Sequence, residues 1–342
     1  MFNSRRMVGS SMSQHKRIGS IFVTTDNPAF LEREVDTAQE VFDLSTSNPR
    51  SLLDEHRRKQ LNFTTAPFDP TGAALRFFPG GFTIWSGFPG AGKTTLLRQL
   101  ACHLMQPVSE ANPLAGAGVF ICSMEEYPQD VLIRHAQVAC ATENLSENML
   151  QWCVDLWADK LKLWNYRPIE SDCQYRKILS AIRILARGHG VKHAFIDSLM
   201  CLDVASNDYE AQRIFAGDLA RTAQSAGVHI HLVAHPRKPS RADQEPDTSD
   251  VAGSADLGRK ADNVLFVKRS AQESATTSGH CTPMSIGVKK QRYGTGFIGD
   301  IHGWFHRGLR QFVPSQWHDE PMQYLTREAH RDIEREFGGG RA

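Results

Sequence analysis

The sequence predicts an α/β fold, a mostly parallel twisted sheet with helices on both faces and a late β-hairpin. Three observations carry this. First, short unbroken apolar runs recur: "FTIWS" (82–86), "GVFICS" (118–123), "LKLW" (161–164), "HAFID" (193–197), "VHIHLVA" (228–234) and "NVLFVKR" (263–269). Amphipathic patterns such as "SDCQYRKILSAIRILARG" and "DYEAQRIFAGDLARTAQSAG" lie between several of them. Strands buried on both faces read this way, and parallel neighbours need a crossover helix. Second, "FTIWS" leads directly into "GFPGAGKTT" and a helical pattern, the order strand, glycine-rich turn, helix. Third, "PMSIGVKK" and "IGDIHGWFHRG" read as a hairpin rather than a crossover.

Along the chain, residues 1–26 read as a disordered leader, basic, serine-rich and free of acids before Asp26. Organelle transit peptides share that composition. Residues 27–71 read as an N-terminal helical arm and linker, broken at "STSNP" and too poor in large apolar groups to form a core alone. Residues 72–315 form the body, and 316–342 a polar tail ending in "GGGRA".

The 342 residues are 41% hydrophobic and 23% charged, as in ordinary soluble domains, with a formal net charge of +1. No global field therefore draws the chain to nucleic acid or an anionic membrane, and any basic surface is local. Seven cysteines lie at 102, 122, 140, 153, 173, 201 and 281, with no C-x-x-C pair. That usage points to reduced thiols in a cytosol-like compartment. No apolar run is long enough for a helical membrane span, so no membrane partner is expected.

"GFPGAGKTT" fits G-x-x-x-x-G-K-[ST], a phosphate cradle made of Gly87, Phe88, Pro89, Gly90, Ala91, Gly92, Lys93, Thr94 and Thr95. A loop wrapping a triphosphate turns its N–H groups inward, which glycine permits, and the following helix points its positive end at the same anion. Lys93 then reaches the β/γ-phosphates of ATP and the Thr94 hydroxyl ligates Mg²⁺. Asp197, ending "HAFID", stands where an acid supports the metal's water shell. Glu125, just past "VFICS", is positioned to polarise the attacking water, with Glu126 as the adjacent competitor. His235 follows a strand expected beside the P-loop strand and can touch the γ-phosphate. It opens a long polar loop that begins with Arg237, Lys238 and Arg241 and then turns acidic. Lys290 and Arg292 alternate at a late strand end, so both project to one face, where Arg292 can enter a neighbouring subunit's site. Trp304 and Phe305 fit either base stacking or core packing.

Five stretches in this order, "GFPGAGKTT", "CSMEE", "FIDS", "HPRKP…GSADLGRKADNVLFV" and "KKQRYGTG", resemble the hexameric replicative helicases of the DnaB and Twinkle type and the related phage primase-helicases. The resemblance spans about residues 75–315 and implies a RecA-like P-loop NTPase core. It implies an ATP-hydrolysing, ring-forming helicase or translocase, with Glu125 as base, Asp197 supporting Mg²⁺ and His235 as γ-phosphate sensor. Lys290 and Arg292 would serve the adjacent subunit's ATP. Arg237, Lys238 and Arg241 would line the channel and hold single-stranded DNA through its phosphates. Other replication proteins are further expected partners. From the sequence outside the resemblance, no primase, zinc module or full helical collar is expected. A RecA-type regulatory ATPase, a loader or mediator without unwinding, is the alternative such residues allow.

Overall fold

The computed structural model describes residues 14–18, 21–25, 48–106, 116–165, 174–199, 208–236, 255–270, 274–276, 279–315 and 320–326, with isolated positions between and after them. The chain divides into two compact units, Met1–Leu61 and Asn62–Ala342.

In the first unit β1 (Gln14–Ile18) and β2 (Ile21–Thr25) pair as an antiparallel hairpin. This departs from the disordered leader expected there. The segment "QHKRIGSIFVTT" has the strand formers Ile18, Ile21, Phe22, Val23, Thr24 and Thr25 around a Gly-Ser pair, a composition that suits a hairpin. Helix α1 (Pro49–Leu61) starts at Asn48, whose side chain accepts from the backbone N–H of Arg50 at 2.9 Å. It buries no residue and carries a Glu55–Lys59 pair four residues apart, as a polar arm should.

The second unit is built on a ten-stranded sheet. Its elements are β3 (Phe82–Ser86), α2 (Lys93–Met105), β4 (Gly118–Ser123), α3 (Pro128–Ala139), α4 (Glu147–Trp157), β5 (Leu161–Leu163), α5 (Gln174–Gly188), β6 (Val191–Asp197), α6 (Tyr209–Ala226) and β7 (His229–Ala234). Then come α7 (Ala255–Lys260), β8 (Asn263–Arg269), β9 (Ser274–Thr276), β10 (Gly279–Gln291), β11 (Gly299–His306) and β12 (Gln311–Val313). The strand order is β12-β11-β10-β8-β3-β7-β6-β4-β5, with β9 on β10. Strands from β8 to β5 run parallel, and β10, β11 and β12 continue the sheet antiparallel. The apolar runs are thus the parallel strands, and the late hairpin is β10–β11.

Each sheet face has its own core. One holds Trp85, Leu100, Val119 and Phe195 under α2, α3 and α4; the other holds Ile84, Phe120, Phe215 and Leu232 under α5 and α6. Alternate residues of β3, Ile84 and Trp85, point to opposite cores, the period-2 geometry of a central strand.

Two expected boundaries move. The body begins at Asn62 rather than 72, because Thr64 pairs with Phe77 and Asp69 accepts from the backbone N–H groups of Ala74 and Leu75. The polar tail is partly core: Tyr324 is 1% exposed, its hydroxyl accepts from Gln99 at 2.8 Å, and Gln311 brackets the Met322 backbone. Apolar residues too sparse to show periodicity can still fill one hole in a core.

Candidate functional site

Parallel strands put their carboxyl ends along one edge, and ligand sites in open α/β sheets form there. At that edge β3 delivers the P-loop, β4 leads to Glu125, β6 ends in Asp197 and β7 leads to His235. A cleft of about 360 Å³ gathers Pro89, Gly90, Gly92, Lys93, Thr94, Thr95, Glu125, Asp197, Val233, His235, Arg269, Met284 and Phe305. Residues more than two hundred positions apart in the chain thus share one cavity.

The loop's glycines are forced at two points. Gly87 has φ +151°, and a Cβ there would lie 2.4 Å from the Val267 carbonyl oxygen. Gly92 precedes α2 at φ +92°, and a Cβ would press the Met284 methyl at 2.8 Å. No side chain caps α2, so its first-turn N–H groups open into the cleft, an arrangement suited to an anion. The Lys93 ammonium donates to the carbonyls of Gly87 (2.6 Å) and Phe88 (3.1 Å). Burial lowers its pKa, against the opposing pull of Asp197 and Glu125.

The Thr94 hydroxyl donates to Asp197 at 2.7 Å. Strand β7 lies between β3 and β6, so Asp197 reaches Thr94 across the top of a neighbouring strand rather than from an adjacent one. Burial raises the Asp197 pKa, the Thr94 hydrogen bond lowers it, and the Glu125 charge raises it further. Two hard oxygen donors in contact below a phosphate cradle fit a magnesium ion.

The paired glutamates differ in their contacts. Glu126 is held by Arg98 at 2.5 Å and Arg134 at 3.2 Å, whereas Glu125 lines the cleft and accepts from the Ser198 hydroxyl at 3.2 Å. His235, also on the cleft, has its pKa lowered by burial and by the Lys93 cation, against the opposing pull of the Glu125 charge.

Lys290 and Arg292 do not line this cleft. Lys290 donates to the carbonyls of Gly258 and Arg259, each at 2.8 Å, at the end of α7. Arg292 donates to the Arg259 carbonyl at 2.7 Å and pairs with Asp262 at 3.0 Å, its side chain 40% exposed. Arg237, Lys238 and Arg241 lie outside the described residues; the loop bearing them is closed at its base by a Pro236–Val251 bridge.

These features together are those of a RecA-like ATPase core. Residues 75–314 match the family model for the DnaB-like helicase C terminal domain. The chain belongs to the DnaB-like helicase C-terminal domain family. Within reach of that family stands the Twinkle homolog protein, chloroplastic/mitochondrial, of Arabidopsis thaliana, 26% identical over 256 residues. The alignment covers 69% of this chain and 34% of that protein, so the chain spans about a third of its curated relative. A solved ATPase domain superimposes with TM-score 0.60 at 19% identity, covering 78% of this chain and 96% of its own. A structure of a DnaB-like replicative helicase and its interactions with primase gives TM-score 0.62 at 18% identity, covering 83% and 71%. Those two likenesses establish the fold. No helix among the described residues of this DnaB-like chain is long and apolar enough to cross a membrane.

Four cleft residues, Val233, Arg269, Met284 and Phe305, escaped the sequence reading or were left open by it. Arg269 ends β8, which runs parallel beside β3, so the carboxyl-end rule pointed to it. Met284 carried no signal. Phe305 lines the cleft while Trp304, its neighbour, points to the other face of the sheet.

Proposed function

We propose that this chain is the motor of a ring-forming DNA helicase that hydrolyses ATP and moves along single-stranded DNA. One observation carries the reading: Lys93, Thr94, Glu125, Asp197 and His235 share a cleft that Lys290 and Arg292 of the same chain do not enter. A complete phosphate site with its expected arginine elsewhere implies a second subunit supplying it.

In this reading the loop and Lys93 hold the ATP phosphates and Glu125 takes a proton from the attacking water. Bound Mg²⁺, held by Thr94 and supported by Asp197, supplies charge neutralisation at the phosphates. Phe305 and Arg269 lie where an aromatic face and a cation can receive the base. His235 stands directly before the loop of Arg237, Lys238 and Arg241, so a change at the γ-phosphate passes to the DNA-holding segment through one residue, Pro236. Those three cations grip phosphates without reading sequence, which makes binding salt-sensitive. A reducing, cytosol-like compartment with nucleoid association suits this activity, as does a ring of six.

The test is ATP turnover with and without single-stranded DNA, beside Lys93→Ala and the pair Arg237→Ala/Lys238→Ala. Stimulation by DNA that disappears in the loop variant, with basal turnover kept, is expected. Turnover indifferent to DNA would overturn the motor reading.

A further inference from the structure

The glutamate beside the proposed base is tied to the P-loop helix by a buried ion pair. Arg98 lies on α2 four residues after Thr94, on the same helical face. Its side chain is 8% exposed, and Nη2 donates to Glu126 Oε2 at 2.5 Å. The other Glu126 oxygen accepts from Arg134 on α3 at 3.2 Å, and the Glu126 N–H donates to Ser123 Oγ at 3.2 Å. Glu126 is therefore anchored from α2, α3 and the end of β4 at once. Glu125 is its neighbour in the chain, so the backbone that carries Glu125 cannot shift without breaking these contacts. Thr94, Arg98, Glu126 and Asp197 also line one small gap of about 20 Å³, so the pair abuts the magnesium-side residues.

We propose that Arg98 and Glu126 form a strut that sets the position of Glu125 against the P-loop, making both positioning residues for hydrolysis. This rests on the reading of Glu125 as base. The geometry favours the strut over a merely structural pair in one respect. The arginine leaves from the P-loop helix itself, so movement of the cradle and of the Glu125 backbone are coupled through a single contact.

Burying one partner without the other destabilises a fold, whereas replacing both by apolar residues of similar volume often does not. The double variant Arg98→Met/Glu126→Leu therefore separates folding from positioning. Melting temperature, affinity for a fluorescent ATP analogue, and kcat and KM for ATP are measured on it, beside Glu125→Gln. We expect near wild-type melting and nucleotide affinity with a fall in kcat on the order of 10²-fold, the scale of a misplaced catalytic group. Recovery of kcat together with stability would overturn the strut. Should the double variant not fold, Arg98→Lys carries the test. It keeps the charge with different geometry, and a kcat loss at unchanged KM is expected, while wild-type kcat would overturn the proposal. Glu125→Gln distinguishes the failures: if it hydrolyses ATP normally, the base assignment itself is wrong. If it is inactive while the strut variants are not, only the strut fails.

Discussion

At Gly87 one distance decides which residue the loop can hold. A methyl group there would sit 2.4 Å from a backbone oxygen of β8, and backbone in a sheet cannot move aside as a side chain can. Gly87→Ala is expected to cost about 1–3 kcal/mol, the scale of strain at such dihedrals, and to weaken nucleotide binding more than tenfold. Denaturant titration and binding of a fluorescent ATP analogue check both. Glu125 is the other residue whose chemistry is sharp. Glu125→Gln keeps the shape of the cleft, and with Glu125 as the proposed base kcat should fall about 10²–10⁴-fold with nucleotide affinity retained. Single-turnover hydrolysis measures it, and Glu126→Gln under the same assay separates the two neighbours.

Between strands β3, β6 and β7 lies a feature with no part in the cleft, three buried histidines whose proton positions follow from their partners. The Trp85 indole only donates, so His231 Nδ1 accepts from it at 3.2 Å. His231 Nε2–H then donates to His193 Nδ1 (3.1 Å), and His193 Nε2–H to the Thr64 hydroxyl (3.1 Å). His229 donates through Nδ1 to the Phe78 carbonyl at 2.7 Å and accepts from Thr83 at 2.8 Å. All three rings are satisfied only when neutral. Burial depresses each pKa, to about 4 for His229 and well below the usual value for His193 and His231. In the unfolded chain they titrate near ~6.5, so between that pH and about 4 the unfolded state binds more protons. Stability is therefore complete above ~6.5 and falls as pH drops toward 4, by up to about 1.4 kcal/mol per pH unit for each histidine. Urea midpoints at pH 7.5 and 5 check the sign; equal midpoints would contradict it. At the far edge of the sheet, Gln99 of α2 clamps the Phe312 backbone in both directions and holds Tyr324. Tyr324→Ala should cost about 3 kcal/mol or more, as for other large core aromatics, by the same urea assay.

For the whole molecule the decisive quantity is which chain completes which cleft. Arg292 is paired to its own Asp262 and turned to solvent, beyond the cleft of its own chain. If it serves a neighbour, Lys93→Ala and Arg292→Ala are each inactive alone. Mixed, they create interfaces in which an intact Lys93 faces an intact Arg292. Recovery of ATP turnover on mixing, absent from either variant alone, is expected; an arginine of this kind contributes ~10³–10⁵ to rate. No recovery would place Arg292 outside the reaction.

The sequence by itself determined the parts whose chemistry is local. The P-loop is legible because spacing, preceding strand and following helix all lie within a few dozen residues, and the parallel strands because burial on both faces leaves an unbroken apolar run. From those two facts the carboxyl edge follows, and with it Glu125, Asp197 and His235 as a set. Only tertiary structure tells the contacts of Glu125 and Glu126 apart, because Arg98 and Arg134 reach Glu126 from other helices while Glu125 lines the cleft. It alone brought in Met284, put Phe305 rather than Trp304 on the cleft, moved the start of the body to Asn62 and pulled Tyr324 out of the tail into the core. The reason is the same in each case: contact between residues far apart in the chain depends on strand order and facing, and periodicity records which side a residue faces but not what meets it there.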